Sequence, residues 1–228
     1  MMKKNGFTLA EVLITLAIIG VVATLTLPSL ISNTQEQQAV TGFRKAMNTL
    51  NEVAQMNVAV DGFDYGNIAD GTTVPGSGSI YSSTGILNSN IWAMMSARAQ
   101  VDTTRSNSAA NVYGANAAGA CNDLHVIGFR DGTMLCYAKT TTNAASNAVI
   151  YGYVDTNGIK RPNTISTCGD VACGQGTSTA RNIKDQFAIT LFNTSALPGH
   201  IVVTPSGEMS DKTNASNMNN AARWAMNK

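Results

Sequence analysis

Lys3-Lys4-Asn5-Gly6-Phe7-Thr8-Leu9-Ala10-Glu11, with the apolar run that continues it to Ile31, decides how this chain is read. The 25 residues from Phe7 to Ile31 are mostly Leu, Ile, Val and Ala, and Glu11 is the single charge among them. As a helix rising ~1.5 Å per residue they extend ~37 Å, enough for a bilayer core of about 30 Å. The run has no polar face of the kind a core helix turns to water. Two lysines precede it, and that bias keeps a short N-terminus in the cytoplasm, so the pattern predicts a single-pass protein whose later residues are exported. A secretory signal peptide is the rival. Its apolar part is ~7–15 residues, carries no acid and ends in a small-residue cleavage site, and none of these fits.

Gly6-Phe7-Thr8-Leu9-Ala10-Glu11 after a short basic leader resembles the processing site of type IV pilins and of the related pseudopilins of type II secretion. The resemblance implies that prepilin peptidase cuts between Gly6 and Phe7 and methylates the new amino group of Phe7. It also implies that the apolar helix leaves the inner membrane to form the core of a filament, outside the cell or in the periplasm, with other pilin or pseudopilin subunits. An acid inside a membrane segment costs about 2.5 kcal/mol or more at the bilayer centre and is functional by default. Glu11 lies about 6 Å along the axis from Phe7, near the interface. The cationic amine of Phe7 on a neighbouring helix is its natural partner, which makes Glu11 an assembly residue. At ~4 Å and an effective dielectric near 20 that attraction is on the order of 4 kcal/mol before desolvation. The plainer alternative is a snorkelling glutamate with no role.

The 228 residues carry a formal charge of 15 − 14 = +1, and loss of Lys3 and Lys4 with the leader makes it 13 − 14 = −1. Such a balance gives no basic field, and no nucleic-acid partner is evident. Cys121, Cys136, Cys168 and Cys173 all follow the apolar segment, in a compartment where oxidation is permitted, so disulfides are expected before a metal cluster. Of three possible pairings, Cys121 with Cys136 and Cys168 with Cys173 is favoured, because each pair flanks one local loop. The first closes a loop of about 15 residues, which chain entropy values at ~3 kcal/mol. A four-thiolate zinc site is the alternative.

The expected organisation is a leader (1–6), a transmembrane or filament-core helix (7–31), an amphipathic helix (32–60) and a globular head (61–228). Pro28 interrupts the apolar helix and should bend it. Val40, Phe43, Met47, Leu50 and Ala54 recur at three- and four-residue steps, which predicts that the helix continues and stops at Asp61-Gly62. Residues 61–87 read as loop, a short helix capped by Asn88 or Ser89 runs through Ile91, Trp92, Met94 and Met95, and 99–120 reads as polar loop. Strands are expected at 124–129 and 133–138, bracketing Arg130-Asp131-Gly132, and at 148–154, 187–192 and 200–204. Met218, Ala221, Ala222, Trp224 and Ala225 could form a final helix whose docking is not readable. The fold class is α+β, a long N-terminal helix packed on an antiparallel sheet.

No catalytic constellation emerges, and no cofactor is required. His125, in a strand, and His200, after Pro198-Gly199, read as structural, and the glycine-rich stretches lack the spacing of a nucleophile elbow or a dinucleotide fingerprint. The segment from Tyr153 to Asn163, with Lys184-Asp185-Gln186-Phe187, is similar to part of pseudopilin heads. That resemblance implies a calcium site, with Asp155 and Asn157 on a tight turn and Asp185 from the next strand. A plain Asp-x-Asn-Gly turn is the alternative, and Lys160 and Arg161 oppose a cation there. Two functional classes follow: a structural filament subunit, major or minor, and a filament-tip binding module such as an adhesin or a DNA-uptake subunit. Arg98, Arg105 and Tyr113 are too scattered to assert DNA binding.

Overall fold

The computed structural model describes residues 6–61, 95–114, 118–122, 124–137, 150–169, 173, 181–191, 201–202 and 212–228. The chain divides into two units, Met1–Gln38 and Ala39–Lys228. The expected 61–87 loop beyond Asp61, the start of the short helix at Asn88 or Ser89, Lys3, Lys4 and His200 lie outside the described residues; 95–98 are helical.

A single helix, α1 (Leu9–Asp61), carries the chain from the processing motif into the second unit and contains Pro28. In the first unit every Leu, Ile and Val from Leu9 to Ile31 is exposed. Its threonine hydroxyls bond within the helix, the arrangement that a hydrocarbon setting would need. Thr15, Thr24 and Thr26 donate their hydroxyls to the carbonyls of Val12, Val21 and Val22 at 2.9, 2.8 and 3.0 Å.

In the second unit the three- and four-residue stripe of α1 turns inward. Val40, Phe43, Met47, Leu50 and Ala54 are buried, as their spacing predicts, and Ala39, Ala46 and Val53 widen the buried face. Phe43 stacks on Phe187 with ring centroids 4.4 Å apart, which joins the helix to the sheet.

Among the described residues the sheet has six strands in sequence order: β1 (Val101–Ser108), β2 (His125–Phe129), β3 (Met134–Tyr137), β4 (Ile150–Asp155), β5 (Gln186–Leu191) and β6 (Ile201–Val202). All neighbouring pairs are antiparallel. The β2–β3 turn follows the Asp-Gly signal. Gly132 takes φ 97°, and Asp131 Oδ1 accepts the Thr133 N–H and hydroxyl at 3.0 and 2.7 Å.

One expectation is corrected: within 99–120, where the sequence predicts loop, most of the described residues have regular structure. They hold β1, the short helix α2 (Ala109–Tyr113) and a 3-10 turn at Gly119–Cys121. Val-Asp-Thr-Thr-Arg-Ser-Asn-Ser shows no apolar alternation because β1 is an edge strand whose ladder breaks between Asp102 and Asn107. Polar side chains fill the break. Asp102 Oδ1 accepts Thr104 N–H at 2.9 Å, Ser106 Oγ donates to the Asp102 carbonyl at 2.7 Å, and the Gly128 N–H of β2 donates to Ser106 Oγ at 3.1 Å. A final helix, α3 (Lys212–Asn227), docks by Ala221, Ala222 and Ala225, all fully buried in the core with α1 and β5. Arg44 Nε of α1 donates to the Ala225 carbonyl at 2.7 Å, satisfying an acceptor near the end of α3.

Candidate functional site

The processing junction comes first in the chain. Gly6, Phe7 and Thr8 precede α1 without regular structure, and Phe7 is 89% exposed. Thr8 and Glu11 form a reciprocal capping box. The Thr8 N–H and hydroxyl both donate to Glu11 Oε2 at 2.8 Å, and the Glu11 N–H donates to Thr8 Oγ1 at 3.3 Å. The Glu11 carboxylate is thus turned back onto the positive start of its own helix, beside the residue whose amine cleavage would free. Reading Glu11 only as a partner for a neighbouring amine missed this role. Its signal was present, since Thr8-Leu9-Ala10-Glu11 has the Thr-x-x-Glu spacing of a capping box. The following helix is long and apolar enough to cross a membrane.

A second constellation lies inside the head. Cys121 is bonded to Cys136 and Cys168 to Cys173, with Cα–Cα distances of 5.5 and 6.2 Å. The first bond ties the 3-10 turn to β3. Gln186 fixes the same turn: its Nε2 donates to the Ala118 carbonyl and its Oε1 accepts the Ala120 N–H, at 2.9 and 2.8 Å. Gly119 lies between them at φ 58°, where a Cβ would stand 2.0 Å from the Asn163 carbonyl oxygen.

Asp155 is the centre of this network. Its Oδ2 accepts Tyr113 Oη–H and Gln186 Nε2–H, each at 2.9 Å, and its Oδ1 accepts the Asn157 and Gly158 N–H groups at 3.2 and 2.8 Å. Asp185 accepts the Asn163 and Thr164 N–H groups at 2.7 and 2.8 Å. Burial raises the Asp155 carboxyl from 3.8 to about 6 and the nearby Asp185 adds to it, while the hydrogen bonds from Gln186, Tyr113 and Asn157 oppose the rise. Burial and then Asp155 push the Tyr113 phenol well above its ordinary range. Tyr113 and Gln186 carry no local sequence signal, because Gln186 meets Asp155 through the β4–β5 pairing and Tyr113 reaches it from α2.

The three residues named for calcium are therefore close in the fold, but their oxygens are largely occupied. Asp155 accepts four protein donors and Asp185 two, and the buried Asn157 Oδ1 is the acceptor of the set without a donor. Calcium takes six to eight oxygens, so the donor set fits a self-contained hydrogen-bond centre better than a calcium shell. Among the described residues no three His, Cys, Asp or Glu side chains gather as metal ligands. His125 is buried in β2 with its ring 5.5 Å from that of Tyr137. Tyr113 is buried and Arg105 pairs with Asp102 at 2.8 Å, so these two do not form an exposed surface with Arg98.

The chain thus joins an exposed Gly-Phe junction and a capped apolar helix to a disulfide-bonded α+β head. Residues 1–27 match the family described as prokaryotic N-terminal methylation motif, the signature of type IV pilin and pseudopilin substrates of prepilin peptidase. No curated protein and no solved structure matches the chain.

Proposed function

We propose that the chain is a structural subunit, pilin or pseudopilin, of a type IV pilus or type II secretion filament. In this reading prepilin peptidase cuts between Gly6 and Phe7 and methylates Phe7, the apolar half of α1 holds the subunit in the inner membrane, and the same half later packs against other subunits. One observation carries it: Phe7 and every Leu, Ile and Val from Leu9 to Ile31 are exposed, within and just past the methylation motif of residues 1–27, and no described part of the chain covers them. Burial of that surface at about 25 cal/mol per Å² is a strong drive toward lipid first and neighbouring helices second.

Glu11→Gln is the test of assembly. The amide keeps one acceptor for Thr8, so insertion and cleavage should persist, while the anion that a neighbouring amine would meet is lost. Filament incorporation should fall severalfold in pelleting assays. Normal incorporation would leave Glu11 as a helix cap only.

A further inference from the structure

One end of the head sheet carries a basic rim. Lys45 Nζ of α1 reaches Asp131 Oδ2 of the β2–β3 turn at 2.9 Å. A Cβ on Gly42 would lie 3.1 Å from Thr156, just past β4, and one on Gly158 would lie 2.7 Å from the Gly132 carbonyl oxygen. These contacts gather Lys45, Arg130, Lys160 and Arg161 at one end of the second unit. Ile159, next to Lys160 in the chain, has 43% of its surface exposed.

Arg130, Lys160 and Arg161 are exposed, and among the described residues no acid pairs with them. Asp131 is engaged by Lys45. Asp155 and Asp185 are buried and accept hydrogen bonds from the rim's own backbone. The loop is thus fixed: the Gly158, Asn163 and Thr164 N–H groups are all anchored on those two carboxylates. A chain whose net charge is −1 without its leader has concentrated unpaired cations and a bare isoleucine on one ordered edge.

We propose that this rim docks on anionic phospholipid headgroups of the membrane that holds the apolar helix. Cations around an exposed apolar side chain are the chemistry of an interfacial contact, in which the apolar group enters the headgroup boundary and the charges meet phosphate. Lipid is the occupant favoured by connectivity. The head begins at Ala39, eight residues past Ile31, and Gly42 and Lys45 lie in its first turns of α1. Such a short link gives the rim a high effective concentration of its own bilayer's headgroups. Each cation near an anionic surface is worth roughly fivefold in binding, so the three unpaired ones together supply about a hundredfold. This inference rests on the membrane-anchored reading above.

The test uses the full chain in vesicles of phosphatidylcholine, with and without phosphatidylglycerol, and follows acylation of the Lys160 amine by peptide mass spectrometry. Lys160 should react about tenfold more slowly with phosphatidylglycerol present, and high salt should restore the rate. R130Q/R161Q should restore it too, with an unchanged melting temperature. Equal rates in the two lipids, or slowing that persists in R130Q/R161Q, would overturn the proposal. Slowing that appears in both lipids and grows with protein density would assign the rim to a neighbouring subunit instead and also overturn it. A chain washed from phosphatidylcholine vesicles by alkali would overturn the membrane-anchored reading, and this proposal with it.

Discussion

The two halves of α1 share a backbone conformation and differ in what their side chains meet. Between Leu9 and Ile31 every Leu, Ile and Val is exposed, whereas between Ala39 and Ala54 the apolar positions recur at helical spacing and are buried against β5, α3 and their neighbours. The later half is amphipathic because its partner is in the same chain and covers one face only. The earlier half is apolar all round, which suits the setting proposed for it, lipid or other helices, that is itself apolar all round. Secondary structure alone therefore says little about function here; the distribution of polar residues around the helix says more.

Paired truncations test that contrast with the largest expected effect. Phe43→Ala should destabilise the head by about 3–5 kcal/mol, since it removes a buried ring stacked on Phe187. Ile18→Ala should leave the melting temperature of the head unchanged in detergent. Comparable losses from both variants would mean that the first half is also held by the head, and the contrast would fail.

The Asp155 centre offers a pH test of how self-contained the head is. Its folded pKa is raised from 3.8 to about 6, so the folded state keeps a proton that the unfolded chain releases earlier. Its contribution is most favourable below about pH 4 and declines as pH rises through about 6, by up to roughly 3 kcal/mol. Asp131 behaves oppositely: burial opposes ionisation, but the bonds from Lys45 and Thr133 prevail and hold it low, so its contribution is lost only at more acid pH. Thermal melts of the full chain should show a fall in stability between about pH 4 and 6 that Asp155→Asn removes. That variant should also cost about 1–3 kcal/mol at pH 5, because its amide faces the Gln186 donor. A wild-type profile that rises across this window would contradict the assignment. On the same centre, millimolar calcium should leave the melt unchanged, and a rise abolished by Asp155→Ala would instead support the metal.

A smaller effect belongs to the helix start. Thr8→Val removes the hydroxyl of the capping box and should weaken the first turn of α1 by about 1 kcal/mol. Hydrogen exchange at residues 9–12 should quicken about fivefold while the head is unaffected. Equal protection in both proteins would show that the cap contributes nothing measurable.

The sequence made α1, strands β2 to β5 and the Asp131-Gly132 turn legible, because each rests on local periodicity or a turn residue. Strand β1 was not legible: its burial pattern is irregular and its stability comes from Ser106, Asp102 and pairing with β2. Residues 113, 155 and 186 meet only through tertiary pairing, so the Tyr113–Asp155–Gln186 network lay beyond local reading. Docking of α3 was similarly hidden, since its contact face is alanine and its hydrogen bond comes from Arg44 of the distant α1. At the N-terminus the reverse held. The motif of residues 1–27 is local and so visible in the sequence, the roles given to Gly6, Phe7 and Glu11 are what it leads one to propose, and the structure added the Thr8 cap.

The central claim is that Phe7 begins the mature subunit and that the exposed helix after it is an assembly element. Mass spectrometry of the protein extracted from membranes of cells with active prepilin peptidase tests this most directly. The account predicts an N-terminal peptide starting at Phe7 and carrying one added methyl group, with Gly6→Val leaving the leader attached. An intact Met1 terminus in the unsubstituted protein would contradict it.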